Sequence, residues 1–146
     1  MTVFAGDIIS ASDVNRRIGT TTRVSDTAAT SGTTELQVDT VTGILVSGRR
    51  YRLRWFCLFN GSVAADNFFF ILREGSGTAG TQLAFTTERI DTTGVTESKV
   101  LEVDYTAAAS GSQTFTATFR RSSGTGTLTG KGSGTGPSSL IIEYTD

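Results

Sequence analysis

The sequence predicts an all-β fold: an antiparallel β-sandwich of seven or eight strands, jelly-roll-like, preceded by a short N-terminal arm. Three observations predict it. Beyond Gly19 the apolar residues recur with period two, and no stretch keeps helical periodicity. Each apolar run is short and bounded by Gly, Asn, Ser or Asp, which is the spacing of sandwiches and barrels.

Residues 3–19, VFAGDIISASDVNRRIG, differ from the rest of the chain. Ser10 stands as an N-cap, Asp13 closes a capping box, and Ile9 and Val14 fall at the two positions of a hydrophobic staple. Gly19 supplies a stop. A helix of about two turns is marginal in water unless its apolar side packs on something. Val3, Phe4, Ile8, Ile9, Val14 and Ile18 form such a side. The chain therefore divides into an arm, residues 1–19, and a sandwich, residues 20–146, joined through Thr20 to Ser31.

Strand-like runs occupy 34–46, 50–60, 67–74, 82–90, 98–107, 113–121 and 139–145, with a weaker one within 125–132. In TFTATFRR, Phe115, Ala117 and Phe119 oppose Thr114, Thr116, Thr118 and Arg120, as in a sheet with one buried face. In RYRLRW, Tyr51, Leu53 and Trp55 oppose Arg50, Arg52 and Arg54. The continuation WFCLF and the run NFFFIL are apolar on both faces, so each must be covered twice. Two readings account for this: central strands in an enclosed core, or a second face buried by a neighbouring subunit. On the second reading Arg50, Arg52, Arg54, Phe56, Phe68 and Phe70 form a subunit interface, the arginines pairing with acidic residues of the neighbour. The connections, such as SSGTGTLTGKGSGTGPSS, are small and polar, more like linkers than catalytic lids.

Composition narrows the chemistry. Thirteen basic and fourteen acidic residues leave no net field that would call for nucleic acid or a membrane. No apolar run approaches the ~20 residues of a membrane-spanning helix, and no secretory signal opens the chain, so synthesis in the cytoplasm is the default expectation. Histidine is absent, which removes the commonest general base, the commonest metal ligand and every Ser-His or Cys-His arrangement. The carboxylates are scattered singly, and no calcium-loop spacing occurs, so neither a catalytic dyad nor a metal site is expected. GKGSGTG lacks the spacing of a phosphate loop. Cys57, the single cysteine, lies in an apolar run and reads as a small buried hydrophobe. Eleven of the thirteen basic residues are Arg, a bias that a GC-rich coding genome produces without functional cause.

VFAGDIISASDVNRRIG, VSGRRYRLRW, SVAAD, LRE, DYTAAASGSQTF and GTGPSSLIIEY together resemble small virion proteins encoded by tailed phages of actinobacteria. In that family an N-terminal arm leads into a β-sandwich, and members are described as head decoration or minor tail proteins. The resemblance implies a non-enzymatic structural protein on the capsid exterior, made in the bacterial host's cytoplasm. It implies docking on the major capsid protein and a homotrimeric state, with no nucleic acid, membrane, small-molecule substrate or cofactor. The arm residues expected to dock are Val3, Phe4, Ile8, Ile9, Val14, Arg16, Arg17 and Ile18. The alternatives are a minor tail protein, or a tail adhesin module that binds the host surface through exposed aromatic residues.

Overall fold

Alternation gives each strand an apolar face, and in this protein those faces meet between two antiparallel sheets. The computed structural model describes residues 16–30, 32–132 and 137–145. Nine strands are present among them: β1 (Arg17–Arg23), β2 (Leu36–Leu45), β3 (Arg50–Gly61), β4 (Asn67–Glu74), β5 (Thr81–Arg89), β6 (Thr96–Thr106), β7 (Gly111–Ser123), β8 (Leu128–Lys131) and β9 (Ser138–Tyr144). One sheet runs β1-β9-β3-β6, with β8 pairing the end of β3; the other runs β2-β7-β4-β5. β8 and β9 share one edge of β3: β9 pairs residues 51–56 and β8 pairs residues 58–61.

The core is aromatic. Phe70 of β4 lies 5.6 Å from Trp55, 4.9 Å from Phe59 and 6.0 Å from Phe119, all inclined rather than stacked, which suits the charge distribution of aromatic rings. Leu53, Phe68, Leu72, Phe115, Leu140 and Ile142 are among the buried residues packed with them. Phe68 and Phe70 are fully buried within the single chain, so their expected place at a subunit interface is corrected: they are the inward half of β4. Its outward half is Phe69 and Ile71.

The N-terminal side departs from the sequence expectation as well. Ile18 and Gly19, assigned to the end of a helical arm, and Thr20 to Arg23, assigned to the link, are strand β1, paired along β9 from Arg17↔Glu143 to Arg23↔Ser138. Gly19 is not a helix stop but a point of close approach between sheets, since a Cβ there would stand 2.8 Å from the carbonyl oxygen of Thr42. The expected helix around Ser10, with Val3, Phe4, Ile8, Ile9 and Val14, lies outside the described residues.

A charged group sits between the two sheets. Asp39 is 4% exposed. It faces inward because the β2–β7 register shifts between Gln37 and Asp39; such a bulge re-aims the side chains on one side of it. Its carboxylate accepts hydrogen bonds from Arg23 Nε at 3.0 Å and Trp55 Nε1 at 2.8 Å. Removing one partner of a buried pair leaves the other charge uncompensated. Asp39→Ala is therefore expected to lower the unfolding free energy in urea titrations by ~3–5 kcal/mol, while Asp104→Ala, on an exposed pair, leaves the midpoint nearly unchanged.

Cys57 is fully buried, as its place in an apolar run led one to expect. Burial pushes its thiol up to about 12, against the opposing charge of Arg23. A thiolate is the reactive form, so the native protein at pH 8 should not react with an aromatic disulfide reagent, whereas one thiol per chain should titrate in guanidinium.

Candidate functional site

With the apolar faces turned inward, function falls to the two outer faces of the sandwich. They differ in how their charges are matched.

On the outer face of the five-stranded sheet, Arg50, Arg52 and Arg54 of β3 lie directly across from Thr106, Asp104 and Glu102 of β6. Arg52 Nε donates to Asp104 Oδ1 at 3.0 Å, Arg50 reaches Asp104 Oδ2 at 3.6 Å, and Arg54 pairs with Glu102. The hydrogen bond from Arg52 to Asp104 and the negative charge of Asp104 raise the guanidinium's pKa further. The arginine stripe is thus matched within its own sheet, where the sequence pointed to a neighbouring subunit. Phe56 stands half-buried on this face, beyond Arg54. Arg16 joins Arg52, Glu143, Tyr144 and Thr145 around a depression of ≈ 340 Å³. Arg17 is exposed at the start of β1, and Ile18 packs against the core near Gly43.

The outer face of the four-stranded sheet is built differently. Toward one end it is covered. The 75–80 loop lies over β7, where Gly75 N donates to Thr114 O at 2.7 Å, Thr116 Oγ1 donates to Gly75 O at 2.8 Å and Arg73 donates to Gly80 O at 2.8 Å. Glu35 accepts both Arg73 donors, at 2.6 and 2.7 Å, and the Thr118 hydroxyl. Thr116 and Thr118, read from the sequence as water-facing, are consequently fully buried.

Beyond that cover the face opens into a depression of ≈ 210 Å³ lined by Phe69, Ile71, Gln82, Phe85 and Arg120. Ile71 forms its floor at 2% exposure and Phe85 its rim at 56%. The Phe69 and Phe85 rings meet edge to face at 5.8 Å, and the Arg120 guanidinium lies 5.0 Å from the Phe69 centroid. Register places these residues together: Ile71 lies opposite Phe85, and Phe69 opposite both Thr87 and Arg120. Arg89, two residues beyond Thr87 on β5, shares the face by alternation. Among the described residues neither Arg89 nor Arg120 has a hydrogen-bond or ion-pair partner.

Sequence reasoning named Phe68 and Phe70 and missed Phe69 and Phe85. The signal lay in parity. NFFFIL must send one set of alternate residues inward, and the outward set is supported only if another strand, LAFTT, offers a partner. Among the described residues no group of three or more His, Cys, Asp or Glu stands close enough to hold a metal ion.

No protein-family model and no curated protein matches the chain. Among solved structures the chain is similar to the infectious bursal disease virus VP2 subviral particle (TM-score 0.46, 13% identity, 99% of this chain and 41% of that one). A second likeness is to the enzymatically active domain of bacteriophage CBA120 tailspike protein 4 (TM-score 0.34, 10% identity, 92% and 20%). A third is to the N-terminal cellulose-binding domain of Cellulomonas fimi β-1,4-glucanase C (TM-score 0.36, 14% identity, 88% and 90%). The chain spans less than half the length of the VP2 and tailspike chains.

The Glu35 clasp carries a pH dependence. Burial pushes its carboxyl up, but the hydrogen bonds from Arg73 and Thr118 and the charges of Arg73 and Arg120 outweigh burial and hold it below its ordinary 4.5. A depressed folded-state pKa contributes stability that is present above the unfolded value and lost as pH falls through the folded one. The melting temperature of the wild type should therefore fall as pH drops below about 4.5, and Glu35→Gln should flatten that part of the profile while lowering stability at pH 7.

Proposed function

We propose that this protein is a non-enzymatic structural component of a phage virion, most specifically a capsid decoration protein that docks on the major capsid lattice through residues preceding β1. The observation that carries this reading is the anchorage of that N-terminal segment. The chain enters at Arg16, whose carbonyl accepts from Tyr144 N at 2.6 Å, and continues into a strand held by both sheets. β1 pairs with β9 on one side. On the other, Thr21 Oγ1 donates to Thr40 O at 2.5 Å and Arg23 is ion-paired with buried Asp39 of β2. A load applied ahead of Arg16 therefore reaches the core rather than peeling a loop.

The rest of the chain suits a scaffold. Carboxylates sit in separate pairs that tie strands together, Glu88 with Lys99 and Glu102 with Arg54, or tie the β1–β2 connection to a strand, Glu35 with Arg73 and Asp26 with Lys131. The strand orders β1-β9-β3-β6 and β2-β7-β4-β5 fit jelly-roll connectivity with β8 as an added strand. The sequence resemblance adds trimeric assembly and a place on the capsid exterior. Binding only the assembled shell would stabilise that shell by mass action. A tail location with host-surface binding is the second reading, and the exposed Phe85 on a strand face favours it.

Solution mass together with co-sedimentation tests the proposal. A trimer pelleting with empty heads is expected; a species that pellets only with isolated tails, or with neither, overturns decoration. Ile9→Asp combined with Val14→Asp should reduce occupancy on heads at least about tenfold while leaving the melting temperature of the sandwich unchanged.

A further inference from the structure

The two outer faces carry arginines in opposite circumstances, and that contrast assigns one of them a ligand. On the five-stranded sheet Arg50, Arg52 and Arg54 face Asp104 and Glu102. On the four-stranded sheet Glu35 is bonded to Arg73 and feels the Arg120 charge only at longer range, while neither Arg89 nor Arg120 has a hydrogen-bond or ion-pair partner among the described residues. Arg120 is not loose on the surface. Its guanidinium is held over the Phe69 ring, and Phe69 is braced edge-on by Phe85. A guanidinium so placed presents a fixed fork of donors that matches a carboxylate.

From the depression formed by Phe69, Ile71, Gln82, Phe85 and Arg120 we infer that this face binds an acidic polysaccharide, one carboxylate-bearing sugar ring seated against Phe85 with its carboxylate on Arg120. Each part of the ligand is matched by a part of the depression. The half-exposed Phe85 ring offers an apolar surface to the C–H face of a pyranose. The Gln82 amide, on the same rim, both donates and accepts and so suits hydroxyl groups. Arg89, further along β5, places a second positive charge where the next acidic ring of a chain would run.

A volume of ≈ 210 Å³, open to solvent, suits one ring of an extended polymer rather than an enclosed small molecule. Single-stranded nucleic acid is the weaker match: Arg120 covers the Phe69 face, so only one ring remains for stacking, where successive bases use several. An acidic protein surface would need an area well beyond this depression, because the 75–80 loop covers the neighbouring part of the face. The rim lies on paired strands, so the groups are held in place before a ligand arrives.

Affinity electrophoresis of the full chain, at physiological ionic strength, tests this with three polymers (polygalacturonate, hyaluronate and alginate) and with dextran, polyglutamate and single-stranded DNA as comparators. At least one of the three polyuronates should retard the protein, and dextran should not. Arg120→Gln should weaken that binding about 10- to 100-fold, the range for a charge-assisted hydrogen bond. Phe85→Ala should weaken it about tenfold, with the melting temperature unchanged, since the Phe85 side chain is largely outside the core. Absence of retardation by all three polyuronates overturns the inference. So does equal retardation by polyglutamate or DNA that Phe85→Ala leaves intact, which would reveal charge attraction alone. Head or tail attachment is read separately by co-sedimentation, so the two proposals stand or fall independently.

Discussion

The carboxylate of Asp39 ties together the edge at which this sandwich closes. Asp39 lies between the sheets, and the cost of an unpaired charge there is several kcal/mol. Its partners come from two strands of the other sheet, Arg23 on β1 and Trp55 on β3, and Arg23 is itself held by a contact to the Cys57 sulfur at 3.8 Å. Satisfying it forces β2 to bulge, because regular alternation after Gln37 would send Asp39 to water. It also fixes the position of β1, since Arg23 must reach across from β1 to β2. Register in a sheet is all or nothing for side-chain facing, so this one pairing orients the edge where the two sheets meet.

Other polar ties are placed where the apolar core cannot reach. At the opposite edge, Lys99 of β6 pairs with Glu88 of β5, linking the outermost strands of the two sheets. At one end of the sandwich, Asp66 accepts Thr125 N at 2.9 Å and Gly126 N, pinning the turn that leads into β8. Gly124 is required there twice over: its φ is +100°, and a Cβ would collide with the Asp66 carboxylate. Tyr105, whose hydroxyl donates to Glu74 at 2.7 Å, is pushed up to about 12 by burial and by that carboxylate. These are local solutions to burying polar groups, each tied to one junction.

Eight of the strands were legible from period two, because each has a face that must be dry. β1 was not. RIGTTTR has only Ile18 as a large apolar residue, and its strand character comes from pairing with β9 and from the close approach at Gly19, neither of which is written locally. Asp39 was hidden for the same reason: the parity change between Val38 and Val41 signals a bulge, but its polar purpose depends on Arg23 and Trp55, distant in sequence. Thr116 and Thr118 alternate as surface residues do, and only the 75–80 loop and Glu35 remove them from water. The outward patch failed to appear because WFCLF and NFFFIL show that a second face is apolar without showing which residues on other strands stand beside it. Register, not composition, joins Phe69 to Phe85 and Arg120.

The same geometry keeps the two proposed surfaces apart. Strand β1 lies beside β2, at one edge of the four-stranded sheet, whereas the Phe85 depression lies on β4 and β5 at the other. With neighbouring strands about 4.8 Å apart, the span from β2 to β5 is ~15 Å. A body held through the residues ahead of β1 would therefore keep the β5 edge on the side away from its attachment. Nor do the surfaces share charges, since Arg23 is committed to Asp39 in the interior and Arg120 to Phe69 on the outside. The constraint that clamps β1 to both sheets thus acts at one edge of the sandwich, while the opposite edge is held independently, by its own register.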